Sequence, residues 1–124
     1  MIKNKKYILL TGVLGFIGFH TALKLIKEGF YVFGIDNINS YYDKNLKTSK
    51  LPLLGLKKDN NYDERFIKSD LYSNFEFAKI DITNRGQIEE IFNKYKFNSI
   101  INLAAQAGVQ YSLKNPYTYI ENNI

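Results

Sequence analysis

Short apolar runs alternate along the chain with longer segments in which apolar residues recur every three or four positions. The runs predict four strands, and these are Tyr7–Thr11, Tyr31–Ile35, Phe75–Ile80 and Ser99–Leu103. Strands separated by helical segments of roughly 10–15 residues favour a parallel sheet with helices on its faces. The pattern therefore predicts an α/β fold.

The helical segments carry recognisable boundaries. Phe16–Glu28 has apolar residues on one face, and Gly29 follows it where a left-handed turn would end the helix. Asn84 is placed to cap a helix that precedes the fourth strand. Pro116 suits the first turn of a further helix.

The middle of the chain has a weaker pattern. Asn37–Leu46 is polar and aromatic and predicts a loop. Leu46–Leu56 has helical spacing, but Pro52 limits it to a short or broken helix. Lys57–Arg65 is the most polar stretch, and we expect Lys57–Asn74 to form a surface excursion.

Composition excludes several classes of function. The chain has 124 residues and a net charge of +5, but its 17 basic residues are scattered, so we expect no nucleic-acid partner. One histidine and no cysteine make a metal site unexpected. No apolar run reaches the roughly 20 residues of a membrane span. The absence of cysteine fits a reducing compartment, and we expect a cytoplasmic protein.

Glycines follow the first strand at regular intervals. Gly12, Gly15 and Gly18 lie between that strand and the helix that begins near Phe16. A glycine turn in this position lets backbone approach a pyrophosphate, and the helix start presents free N–H groups to it. The alternative is that the glycines only let the helix pack close to the strand. The context favours a dinucleotide site in an incomplete Rossmann-like, doubly wound sheet of about four strands.

Acidic residues end the second and third predicted strands. Asp36 lies 18 residues beyond Gly18, where a carboxylate accepts hydrogen bonds from the adenosine ribose and repels a 2′-phosphate. This favours NAD over NADP, and the alternative role is to cap the loop. Asp81 and Ile82 are placed to meet the adenine ring, although Asp81 is almost as well explained as the start of a turn.

These motifs resemble a known family. Thr11-Gly12-x-x-Gly15-Phe16-Ile17-Gly18 is similar to the fingerprint of the extended short-chain dehydrogenase/reductases, which include nucleotide-sugar epimerases and dehydratases. The segments from Asp36 to Asp43 and from Ala104 to Ser112, with Asn115-Pro116, resemble the UDP-glucuronate 4-epimerases.

The resemblance implies a set of cofactor contacts to NAD. The implied residues are Gly12, Gly15, Phe16, Ile17, Gly18, Asp36, Asn37, Asn39, Asp81, Ile82, Leu103, Ala104, Ala105, Gln106 and Asn122. A loop facing the sugar nucleotide is implied as well, and it contains Ala107, Gly108, Gln110, Tyr111 and Ser112. Gln110 stands where these relatives usually carry arginine. If that arginine helps to hold an acidic sugar, its replacement by glutamine argues against glucuronate as the substrate.

The resemblance also implies an activity. Family members epimerise a UDP-sugar at C4 by transient hydride transfer to NAD, and we expect a homodimer. Their catalytic Tyr-x-x-x-Lys pair is absent here, since none of the ten tyrosines has a lysine four residues later. We therefore expect residues 1–124 to form the N-terminal part of an NAD-binding domain, without the substrate lobe and inactive alone. A dehydratase or decarboxylase of the same superfamily and a non-catalytic nucleotide-binding module are the alternatives.

Overall fold

The computed structural model describes residues 6–38, 44–63 and 65–104, which form a five-stranded sheet with flanking helices. The strands are β1 (Tyr7–Thr11), β2 (Tyr31–Asp36), β3 (Ile67–Lys68), β4 (Phe75–Lys79) and β5 (Ser99–Asn102). The helices are α1 (Phe16–Lys27), α2 (Lys44–Thr48) and α3 (Arg85–Lys94), and a 3₁₀ turn covers Pro52–Leu54. The four predicted strands and the two long helices are confirmed.

The strand order places β1 between β2 and β5. The sheet runs β3-β4-β2-β1-β5, and β1 pairs in parallel with both neighbours. The chain moves outward from β1 to β2 and β4, and then returns to the other side of β1 as β5. A crevice forms beyond the carboxyl ends of strands where the order reverses in this way, and ligands bind there in open α/β sheets.

Helices cover both faces of the sheet. Leu9 and Leu10 are fully buried and belong to two separate core clusters, because successive side chains of a strand point to opposite faces. Ala22 of α1 joins the cluster of Leu10, and Ile88 of α3 joins that of Leu9. The doubly wound α/β prediction is therefore confirmed.

The boundaries of the long helices follow the local sequence. Gly29 has a positive φ of 95° directly after α1, which is the left-handed turn that the sequence predicts. The Asn84 side chain accepts a hydrogen bond of 3.1 Å from the Gln87 backbone N–H and caps α3. The predicted helix from Pro116 lies outside the described residues.

Two predictions for the middle of the chain need correction. The loop predicted for Asn37–Leu46 is wrong at its end, because α2 begins at Lys44. The short or broken helix predicted for Leu46–Leu56 is confirmed: α2 ends at Thr48, and Pro52 begins the 3₁₀ turn. The start of α2 was missed because a helix of five residues has too little periodicity to mark its first turn in the sequence.

The surface excursion predicted for Lys57–Asn74 is wrong in part, because this segment contributes to the sheet and to the core. Ile67 and Lys68 form β3, which pairs antiparallel with β4 and gives the sheet a fifth strand. Tyr62 is only 4% exposed, and its ring lies 5.2 Å from that of Phe77 in an edge-to-face contact. Its hydroxyl donates to the carbonyl of Lys57. Tyr62 thus anchors the polar part of this segment to the core.

A second anchor in this segment is Ser69, which is buried. Its hydroxyl donates to the Leu54 carbonyl at 2.7 Å and accepts from the backbone N–H groups of Leu71 and Tyr72. The positive φ of Gly55, 81°, places that backbone against Ser69. The segment is therefore tied to the 3₁₀ turn by hydrogen bonds that only the folded chain makes.

No helix in the described ranges is long and apolar enough to cross a membrane.

Tyr31 makes the stability of the sheet sensitive to alkaline pH. Burial and a hydrogen bond from its hydroxyl to Glu76 raise the pKa of Tyr31 above the ordinary value of about 10. Above that pH the unfolded chain loses this proton while the folded chain keeps it, so the free energy of unfolding falls as pH rises. Tyr31→Phe should show a shallower fall between about pH 9 and 11, measured by urea denaturation. Equal slopes in the two proteins would contradict the assignment.

Candidate dinucleotide-binding site

A cavity of about 470 Å³ lies beyond the carboxyl ends of β1 and β2, at the start of α1. This volume is in the range of small-molecule sites. Ten residues that the sequence analysis assigns to the cofactor line it: Gly12, Gly15, Phe16, Ile17, Gly18, Asp36, Asn37, Ile82, Leu103 and Ala104. The fold thus brings together residues that are up to 92 positions apart.

The remaining predicted residues divide into two groups. Asn39, Ala105, Gln106, Asn122 and the predicted sugar-facing residues Ala107, Gly108, Gln110, Tyr111 and Ser112 lie outside the described residues. Asp81 is described, and its carboxylate accepts from the backbone N–H and the hydroxyl of Thr83. It therefore starts the turn into α3, while its contact with adenine stays a prediction.

The glycine turn is too crowded for side chains at two of its positions. A Cβ on Gly18 would lie 2.0 Å from the Gly12 carbonyl oxygen, and a Cβ on Gly12 would lie 2.7 Å from the Leu103 carbonyl carbon. Gly12 also has a positive φ of 75°. Close packing therefore explains Gly12 and Gly18. At Gly15 a Cβ would come no closer than 3.4 Å to its neighbours. Close packing therefore does not by itself explain the glycine at position 15.

The start of α1 is open toward the cavity. Gly15 is the N-cap and offers no side chain to accept from the N–H groups of the first turn. Phe16 and Ile17 are 69% and 58% exposed although both are large and apolar. The first-turn amides have no partner inside the helix, and the helix dipole favours an anion near them.

Asp36 connects three segments around the cavity. Its Oδ2 accepts from the Leu14 backbone N–H at 3.0 Å, which ties β2 to the glycine turn. Its Oδ1 accepts from the Ile38 backbone N–H at 3.0 Å and from Lys47 Nζ at 2.8 Å. Asp36 thus caps its loop, as the alternative reading held, and it also lines the cavity.

Ile38 has a strained backbone beside this carboxylate. Its φ is 51°, in the left-handed region that β-branched residues rarely enter. Such a conformation costs on the order of 1–2 kcal/mol. The hydrogen bond from its N–H to Asp36 offsets part of that cost and fixes where the chain leaves β2.

Thr11 and Asn102 join the ends of β1 and β5. The Thr11 hydroxyl donates to Asn102 Oδ1, and its oxygen accepts from the N–H groups of Leu103 and Ala104 at 3.1 and 3.3 Å. These bonds hold the segment after β5 against the glycine turn. The small size of Ala104 is consistent with the close backbone approach that the sequence predicts.

Six lining residues were missed by sequence reasoning. They are Leu14, Ile35, Leu46, Lys47, Lys50 and Ile80. The positions of Ile35 and Ile80 at strand ends could have signalled them. Nothing in the sequence indicates that α2 brings Leu46 and Lys47, and the turn after it Lys50, to the cavity, because that packing depends on the fold.

The geometry agrees with comparisons to known proteins. A family model described as GDP-mannose 4,6 dehydratase matches residues 9–124. The chain belongs to this family of extended short-chain dehydrogenase/reductases. The resemblance found in the sequence is thereby confirmed at the level of the nucleotide-sugar epimerase and dehydratase family.

A curated relative in the family is also similar over most of the chain. UDP-glucuronate 4-epimerase from Thermodesulfobacterium geofontis is 43% identical over 118 residues, which cover 95% of this chain and 32% of that protein. The chain spans between 22% and 32% of the length of the curated relatives it matches most strongly.

Two solved structures share the fold. UDP-glucose 4-epimerase from Thermotoga maritima, solved with UDP-glucose, is 30% identical with a TM-score of 0.53 over 89% of this chain and 28% of that one. The dTDP-glucose 4,6-dehydratase from Bacillus anthracis, solved with NAD, is 21% identical with a TM-score of 0.56. The match covers 82% of this chain and 27% of the dehydratase. The second similarity supports the Rossmann-type fold alone.

The crowding at Gly18 predicts a stability difference between two glycine substitutions. Gly18→Ala should destabilise the protein by about 1–3 kcal/mol, because the new methyl group overlaps the Gly12 carbonyl. Urea denaturation monitored by circular dichroism measures the effect.

Gly86→Ala is the matched control. Gly86 lies in the first turn of α3, and a Cβ there would have its nearest neighbour at 3.6 Å. The free energy of unfolding of the Gly86→Ala protein should equal that of the parent or exceed it by up to about 1 kcal/mol. Equal effects of the two substitutions would show that the glycine turn is not crowded.

Proposed function

We propose that the cavity binds NAD, with the pyrophosphate at the start of α1 and the adenosine ribose at Asp36. The observation that supports this most is the joint placement of an uncapped helix start, a glycine turn and a buried carboxylate on one cavity. The helix start attracts phosphate, the glycine turn lets the phosphate approach the backbone closely, and the carboxylate recognises hydroxyl groups.

The residues that line the cavity fit NAD. A Cβ at Gly12 or Gly18 would overlap backbone atoms, so the turn stays narrow and its amides stay within reach of a phosphate. Ile80 and Ile82 give the adenosine end apolar walls suited to a flat ring. Leu103 and Ala104 line the opposite part of the cavity, where the sequence predicts the nicotinamide half.

Each residue then has a defined task. The first-turn amides of α1 hold the pyrophosphate, and the apolar side chains of Phe16 and Ile17 cover it from water. Asp36 orients the ribose. When bound, NAD supplies an acceptor for hydride from a sugar carbon.

We further propose that the protein is a nucleotide-sugar 4-epimerase acting on UDP-glucuronate. The 43% identity to a relative of that name supports this substrate. The site in the chain contributes cofactor binding, because its 124 residues contain no Tyr-x-x-x-Lys pair. The loop from Ala107 to Ser112 is proposed to face the sugar.

A dehydratase is the second candidate. The family model that matches residues 9–124 is described as a GDP-mannose dehydratase. Epimerases and dehydratases both oxidise a sugar with a bound nicotinamide, so the cofactor cavity is compatible with either reaction.

Asp36→Asn tests the cofactor proposal. The substitution keeps the shape of the side chain but removes the charge that the ribose hydroxyls bind, and NAD affinity should fall by about tenfold or more. Titration calorimetry with NAD measures the dissociation constants. Asp63→Asn, at an exposed carboxylate 3.8 Å from Lys79 Nζ, is the control and should bind like the parent. A parent protein that binds no NAD would refute the proposal.

Turnover of UDP-glucuronate by the intact protein tests the substrate proposal. We expect a product of unchanged mass that co-elutes with UDP-galacturonate, because epimerisation inverts one carbon and removes no atoms. Mass spectrometry after incubation makes the measurement. Loss of one water molecule from GDP-mannose or another nucleotide hexose, without conversion of UDP-glucuronate, would favour the dehydratase instead.

A further inference from the structure

Lys47 lies beside the carboxylate that is proposed to bind the ribose. Its Nζ is 2.8 Å from Asp36 Oδ1, and both residues line the cavity. The Lys47 side chain is 15% exposed and that of Asp36 is 2% exposed, so the pair is largely removed from water. Lys47 is supplied by α2, whose start at Lys44 lies in the segment that the sequence assigned to a loop.

The hydrogen bonds to Asp36 leave little acceptor capacity for a ribose. Oδ1 accepts from Lys47 and Ile38, and Oδ2 accepts from Leu14. An ionised carboxylate has about four acceptor sites, so about one is left. A carboxylate at the end of this strand usually recognises the ribose 2′-hydroxyl group. Here Asp36 has room for only one of the two ribose hydroxyls, so the other, at the 2′ position, needs a different partner, and the ammonium of Lys47 is the adjacent polar group.

We propose that Lys47 is a specificity-determining residue of the cofactor site, and this rests on the proposed NAD site. The ammonium donates to the substituent at the 2′ position, whether that is a hydroxyl or a phosphate. A bare Asp36 carboxylate would repel a 2′-phosphate, whereas the ion pair presents almost no net charge to it. Lys50, which also lines the cavity, adds a second positive charge to this wall.

The consequence concerns the choice between NAD and NADP. In the sequence alone, Asp36 predicts a preference for NAD over NADP. With Lys47 in place, the protein should bind NADP less than about 100-fold more weakly than NAD, since the like-charge repulsion is offset. An ion pair that only stabilised the fold would instead act on both cofactors equally.

The test compares dissociation constants of NAD and NADP for the intact protein by titration calorimetry. Lys47→Gln keeps a hydrogen-bond donor for Asp36 and removes the charge. We expect it to weaken NADP binding by at least about tenfold and to change NAD binding by less than about threefold. Lys47→Arg should restore the ratio of the parent. Lys24→Gln removes a charge from an exposed pair with Glu28 on α1 and should leave both constants unchanged.

The possible outcomes separate this inference from the cofactor proposal. If the parent binds no NAD, the proposed site and this inference both fail. If the parent binds NAD but its preference over NADP exceeds about 100-fold, or if Lys47→Gln leaves the ratio unchanged, only the role of Lys47 fails. If Lys47→Gln does not fold, the preference of the parent protein for NAD over NADP is measured at increasing salt concentration to test the role of Lys47. A preference for NAD that grows with salt supports the role, and a preference that stays constant refutes it.

Discussion

The candidate site depends on the hydrogen bonds that the carboxylate of Asp36 accepts. This carboxylate is buried, and it accepts from the glycine turn, from its own loop and from α2. A buried charge is costly without partners, and hydrogen bonds to charged groups contribute roughly 1.5–3 kcal/mol each. The three contacts therefore stabilise the charge and at the same time fix the relative positions of three walls of the cavity.

The position of the cavity follows from strand order. Because β1 pairs in parallel with β2 and β5, the segments that leave these three strands meet at one edge of the sheet. The Gly12 N–H donates to the Ile35 carbonyl at 2.9 Å, and Thr11 binds the backbone after β5. The turn after β1 is held from both sides, which allows a glycine-rich segment to keep one conformation.

The family and the cavity support different parts of the functional conclusion. Membership in the nucleotide-sugar epimerase and dehydratase family indicates the class of chemistry. The cavity indicates how a dinucleotide would be held. The proposals on substrate rest on the similarity to epimerases.

The sequence by itself determined the elements that depend on local pattern. Apolar runs located β1, β2, β4 and β5, and apolar spacing located α1 and α3, because burial on a sheet or a helix face imposes a fixed period. The spacing of Gly12, Gly15 and Gly18 indicated the turn, since only glycine fits at Gly12 and Gly18, where backbone meets backbone.

Only the tertiary structure decided the features that arise from pairing of distant segments. β3 has two residues and exists because β4 offers it a free edge. Tyr62 and Ser69 are buried within a polar stretch because Phe77 and the Leu54 carbonyl reach them in the fold. Lys47 joins the cavity for the same reason, as the partner of Asp36 eleven residues away. Such contacts leave no periodic trace in the sequence, because each depends on where the rest of the chain is packed.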